Sequence, residues 1–214
     1  MNSIYLLKKL LYSTVHTFPI LLGLATATFA DDLRSQFPGR RVGGGTRGEC
    51  SARFLAHLVT PNSTYSPGQS GLLAILQGPS NNHRPITTKF GNYSVNKETI
   101  YNSELILNHP NASLFIFKSP KIVVETSWSS TFKCSDENNN NFGILDFVEE
   151  ASPPALSLLL KKSSTEDLPI QKSILKYSKK CDKKIQTQDI FTEFKLGNNI
   201  DKKNWPIDLD IICY

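Results

Sequence analysis

Apolar positions along the chain fall into short runs broken by turn-forming residues, and their period points to strands more often than to helices. "GLLAILQGP" is a continuous apolar run stopped by Gly78 and Pro79, the pattern of a short buried strand. "LFIF", Leu114 to Phe117, has the same character. "KIVVETSWSSTFKC" carries β-branched residues and alternates in its second half, which predicts a strand ending at Cys134. "SARFLAHLVTP" predicts a first strand, and Ile86 to Phe90, Thr99 to Tyr101 and Glu104 to Leu107 predict three more. "STYSPGQS", "SNNHRP" and "NHPNAS" read as turns and loops between them. Many short strands with turn signals every ten or so residues predict a mainly β fold, an Ig-like antiparallel β-sandwich over residues 46–134.

The pattern changes further on. "SDENNNN", residues 135–141, is a polar linker. "FGILDFV" predicts a strand, and "PALSLLL" a strand or a short helix. "TEDLPIQKSILKYSKKC" predicts a helix capped by Thr165, with Glu166 and Asp167 in the first turn, Pro169 near the start and lysines at the end, as the helix dipole favours. Its inward face would be Leu168, Ile174, Leu175 and Tyr177. "TQDIFTEFKLG" predicts a second short helix, capped by Thr187 and stopped by Gly197, and "PIDLDIIC" alternates as a final strand. Residues 142–214 therefore read as a small α+β C-terminal subdomain, and no internal repeat is visible.

The N-terminus fixes the expected compartment. Lys8 and Lys9 precede an apolar region densest from Phe18 to Leu24, and "ATATFADD" places Thr28 and Ala30 at the small-residue exit. This is the form of a secretory signal peptide over residues 1–30. Pro19, His16, Ser13 and Thr14 interrupt the apolar stretch, which argues against an anchor, since spanning needs about 20 apolar residues. With no later span, no transmembrane segment is expected after cleavage. The whole chain has 24 basic and 19 acidic side chains. Cleavage removes Lys8 and Lys9, leaving 22 against 19, or +3. A balance of that size gives no electrostatic case for nucleic acid as a partner.

Four cysteines, Cys50, Cys134, Cys181 and Cys213, form an even set, and an exported chain would use them in disulfides. Three pairings are open. Cys50–Cys134 with Cys181–Cys213 is favoured because each pair brackets a segment of its own composition. A zinc site wants close pairs, and the nearest two cysteines lie 32 residues apart, so no metal is expected.

Residues 31–49 form a glycine- and arginine-rich leader that reads as extended or loose. Within it, "RRVGGGTRGEC" is the strongest candidate for binding. Consecutive backbone N–H groups at Gly43, Gly44 and Gly45 would make an anion nest, with Arg40, Arg41 and Arg47 supplying charge. It is not a nucleotide P-loop, because no Lys-Ser or Lys-Thr follows the glycines. The plainer reading is a leader that crosses the surface to Cys50.

Other motifs carry less. "GQSGL" lacks the second glycine of a nucleophile elbow, having Leu72 there. His57, His83 and His109 show no metal-ligand spacing. "DENNNN" resembles the start of a calcium loop, but Asn141 and Phe147 replace its glycine and bidentate glutamate. Glu149 and Glu150 are adjacent and point apart on a strand, and the four lysines around Cys181 suit a solvated helix end. Asn62, Asn92 and Asn111 head glycosylation-type triplets that matter only in a eukaryotic secretory route.

With Pro38 to Cys50 and "WSSTFKC" in view, the chain resembles an exported cyanobacterial family of unknown function whose members carry P-G-R-R-x-G-G-G-T-R-G-x-C after the signal peptide. "ASPPALSLLL", the helix before Cys181 and "NWPIDLDIIC" extend the likeness through most of the mature chain. The resemblance implies a periplasmic or cell-surface home and supplies no reaction, cofactor or catalytic residue. The expected function is a non-enzymatic binding or scaffolding module for an envelope protein or polymer. The alternative is a secreted hydrolase with a loop-built site near His83 or His109.

Overall fold

Among the described residues all eleven strands lie in two sheets; the alternating and apolar runs mark most of the longer ones, whereas the short strands Val42–Gly43, Thr64–Tyr65 and Lys184–Gln186 depart from the leader, turn and loop readings of those stretches. The computed structural model describes residues 33–43, 54–80, 84–94, 99–132, 154–196, 200 and 204–214. In chain order the strands are β1 (Val42–Gly43), β2 (Leu55–His57), β3 (Thr64–Tyr65), β4 (Leu72–Gln77), β5 (Ile86–Asn92), β6 (Tyr101–Leu107), β7 (Ser113–Lys118), β8 (Thr126–Phe132), β9 (Ala155–Leu159), β10 (Lys184–Gln186) and β11 (Asp208–Cys213). Two helices, α1 (Asp167–Ser178) and α2 (Thr187–Glu193), separate β9, β10 and β11. One sheet has six strands in the order β1-β2-β4-β7-β11-β10, and the other has five in the order β3-β9-β8-β5-β6. The fold is mainly β and consistent with a sandwich. Residues 36–214 make one compact unit.

The two segments that composition separates share both sheets. From the C-terminal segment, β9 lies between β3 and β8, and β11 lies between β7 and β10. Pairing is antiparallel except at β3/β9 and β7/β11, which are parallel. The departure from an all-antiparallel sheet has a topological cause. Parallel neighbours need a long crossover, and both of these pairs join strands remote in sequence.

All six residues of β4 are buried. One face looks to the other sheet and the other is covered by α1, which is why "LLAILQ" has no polar alternation. α1 buries Ile170, Ile174 and Tyr177. Leu168 and Leu175, expected inward, are 55% and 44% exposed. Ile170 takes the inward position because the stripe runs i, i+4, i+7 through Ile170, Ile174 and Tyr177. Between the sheets, Trp128 on β8 stacks on His57 of β2 at 3.6 Å and meets Phe117 of β7 edge-on at 6.1 Å. Burying a side chain of this kind stabilises by about 1.5–3 kcal/mol.

Three local expectations are corrected. Tyr101 and Glu104 to Leu107 belong to one strand, β6, with Thr99 and Ile100 just ahead of it, and its pairing with β5 shifts register at Phe90/Gly91. Gly91 is needed there because a Cβ would stand 2.4 Å from the Ile100 carbonyl oxygen. Thr165 does not cap α1, whose N-cap residue is Glu166, and the buried Asp167 instead accepts hydrogen bonds from Ser164 N–H (2.7 Å) and Ser66 N–H (3.2 Å). Thr187 does not cap α2 either; its hydroxyl donates to the Pro206 carbonyl.

The disulfide Cys181–Cys213 is formed, with Cα atoms 5.7 Å apart, and ties the turn after α1 to the end of β11. Cys50 and Cys134 lie outside the described residues, as does "FGILDFV". No helix among the described residues is long and apolar enough to cross a membrane.

Candidate functional site

The leader is partly built into the fold. Arg40 exchanges two backbone hydrogen bonds with Leu156 of β9, at 2.9 and 2.7 Å, while β1 pairs with β2 of the six-stranded sheet. The chain thus crosses from one sheet to the other at Arg41, whose carbonyl accepts from the His57 N–H at 2.8 Å. This crossing points the Arg41 side chain inward, leaving it 8% exposed.

Its guanidinium is held by three carbonyls. Nη1 donates to Val59 (3.0 Å) and Phe194 (3.1 Å), and Nη2 donates to Lys195 (2.9 Å). Phe194 and Lys195 follow α2 directly, so the cation sits on the negative end of that short helix. Burial lowers the guanidinium's pKa from its ordinary value, yet an arginine keeps its charge near neutral pH. No carboxylate pairs with it among the described residues.

Arg41 lines a cavity of about 450 Å³. One wall is the turn Thr60 to Thr64, where the Asn62 side-chain Oδ1 accepts from the Thr60 hydroxyl, the Thr64 hydroxyl (2.8 Å) and the Thr64 N–H (3.3 Å). Those bonds stabilise the left-handed Ser63 (φ 62°) at the corner. The opposite wall is the start of α1, Glu166, Pro169 and Ile170, placed by the Asp167 bonds to the Ser66 strand end. Phe194, Lys195 and Glu193 close the third side. Partial burial alone would raise the Glu193 carboxyl, but its ion pair with Lys176 prevails and holds it below the usual range. Chemically the site offers a buried cation beside apolar walls, suited to holding an anionic group.

The other predicted anion-binding residues divide. Arg40 is exposed, Gly43 is in β1, and Gly44, Gly45 and Arg47 lie outside the described residues. The cavity's remaining walls were not foreseen from sequence. The turn signal "TPNST" was visible, but the residues it meets come from α1 and from the end of α2.

The histidines have other work. His57 is fully buried, with Nδ1 2.8 Å from the Ser157 hydroxyl and Nε2 2.8 Å from the Ser130 hydroxyl, itself 2.8 Å from Thr88 Oγ1. Burial lowers its pKa well below the ordinary value, so the ring is neutral. Ser130, Ser157, Thr88 and Trp128 are as buried as His57, so no substrate reaches this cluster while the sheets stay packed. His109 is 2.7 Å from the Ser113 hydroxyl in the loop before β7, where Gln77 donates to the His109 and Asn111 carbonyls at 3.0 and 2.8 Å. His83 lies outside the described residues. Among the described residues no group of His, Cys, Asp and Glu is placed to hold a metal ion. Comparison with known protein families, with characterised proteins and with solved structures finds no match to this chain.

Proposed function

We propose that the chain is a non-enzymatic binding or scaffolding module of the periplasm or cell surface, and that it holds an acidic group of an envelope protein or polymer at Arg41. The observation that carries this reading is a buried guanidinium, held by three carbonyls but unmatched by any carboxylate among the described residues, in the wall of an open cavity. Buried charges are ordinarily paired with an opposite charge, and a ligand's acid group would complete this one. Retention of the tagged chain on envelope fractions tests it. The wild type is retained, and Arg41→Ala loses most of that retention while its circular dichroism stays native. A folded Arg41→Ala protein retained like the wild type overturns the reading.

A further inference from the structure

From the same site we infer the ligand class: a monocarboxylate with an apolar body, its carboxylate on Arg41 and its body on the walls of the cavity. The inference rests on the reading of Arg41 as an anion site. It adds what kind of anion fits, and three observations select it.

The first is the donor set. Both Nη1 hydrogens and one Nη2 hydrogen go to Val59, Phe194 and Lys195, so Nε–H and the second Nη2–H have no acceptor among the described residues. An Nε–H/Nη2–H pair is the side-on fork of a guanidinium and matches the two oxygens of one carboxylate. The second is the lining. Val59, Pro61, Pro169, Ile170 and Phe194 face the same cavity. A hydrated polyanion gains nothing from such walls, whereas an aliphatic body gains by leaving water. The third is the charge count. Glu166 and Glu193 stand on the cavity against Arg41 and Lys195, and Glu166 has no cationic partner among the described residues. One negative charge is accommodated at Arg41; a second would meet Glu166.

Such a carboxylate could be the end of a peptide chain or a small free acid, and titration calorimetry on the full chain separates the two. The probes are N-acetyl-leucine, its neutral amide, acetyl-Gly-Ala-Leu with a free carboxyl, and inorganic phosphate. N-acetyl-leucine and the tripeptide are expected to bind, with the amide weaker by about tenfold or more, the loss of a charge-assisted fork. Tighter binding of the tripeptide than of N-acetyl-leucine identifies a chain end as the source; equal binding identifies the small acid. An amide that binds like the acid overturns the inference. Phosphate binding as tightly as N-acetyl-leucine also overturns it while leaving Arg41 an anion site. Failure of every anion, with envelope retention indifferent to Arg41, removes both readings. Because Arg41 also holds backbone carbonyls, a second variant leaves it in place. Pro169→Glu adds a carboxylate to an exposed wall and suits the first turn of α1. It should fold and lose N-acetyl-leucine binding by about tenfold; unchanged affinity would place the ligand elsewhere.

Discussion

His57 and Arg41 are both basic, both buried and joined through one backbone hydrogen bond, yet they are treated in opposite ways. His57 gives up its charge: burial lowers its pKa, both ring nitrogens meet serine hydroxyls, and Trp128 covers its face. Arg41 keeps its charge and meets only carbonyls, with two donors left over and a cavity beside it. A satisfied, sealed polar group fastens the fold. A charged group with unused donors on an open wall is equipped to meet something else. The difference shows that burial alone does not separate a structural basic residue from a binding one; what remains unsatisfied does.

Three perturbations would break or sharpen that contrast. The largest effect should come from His57→Ala, which removes the stacked ring, takes the ring partner from the buried Ser157 hydroxyl and leaves Ser130 only Thr88. Loss of about 3–5 kcal/mol in urea unfolding is expected. Ligand affinity at Arg41 should be unchanged in whatever protein remains folded. A loss below about 1 kcal/mol would show that the network is not a fastening.

Acid is the second. The unfolded chain protonates His57 near its ordinary value of 6.5, while the folded chain resists to a much lower pH. Below 6.5 the unfolded state therefore binds more protons, and stability falls as pH falls. The groups packed on the ring are Thr88 beyond Ser130, then Ser130, Ser157 and Trp128, none of them charged. A slope of about 1.4 kcal/mol per pH unit is expected below that point. Unfolding curves at stepped pH check it, and in a His57 variant the slope just below 6.5 should vanish, leaving only the loss in stronger acid that the depressed Glu193 carboxyl contributes.

The smallest effect belongs to Arg41→Lys. A single ammonium cannot reach all three carbonyls, so stability should drop by about 1 kcal/mol. Ligand retention should fall much further, because the planar fork is gone while the charge remains. Equal retention of both proteins would reduce Arg41 to a point charge.

Local pattern carried much of this architecture. β4, β7, β8, β11 and α1 were legible because each is a run whose period or unbroken apolarity is its own signal. Sheet order was not. β7 and β11 are parallel neighbours whose paired residues, Ser113 and Asp210, are far apart in the chain, and nothing in either run names the other. The histidine cluster shows the same limit. His57 was placed in a strand region, but Ser130 and Ser157 lie 73 and 100 residues further on. Arg41 was singled out for its charge and its glycine neighbours. The structure gives it a side-chain setting made of residues 59, 194 and 195 instead, which only tertiary packing brings together. Neither threonine caps its helix: the buried Asp167 takes the Ser164 N–H ahead of α1, and the Thr187 hydroxyl is used by the Pro206 carbonyl, a partner supplied by tertiary packing.

The place of β11 has a consequence for how this protein comes into being. A ribosome releases β7 long before β11, so the growing chain carries β7 with one edge bare while the helices that lead to its neighbour are still being made. Closure at β7 waits for β11, and the Cys181–Cys213 bond waits for the same segment, because Cys213 is the last residue of β11. Until β11 arrives, the β7 edge it will cover is open to mispairing with any other strand the chain exposes.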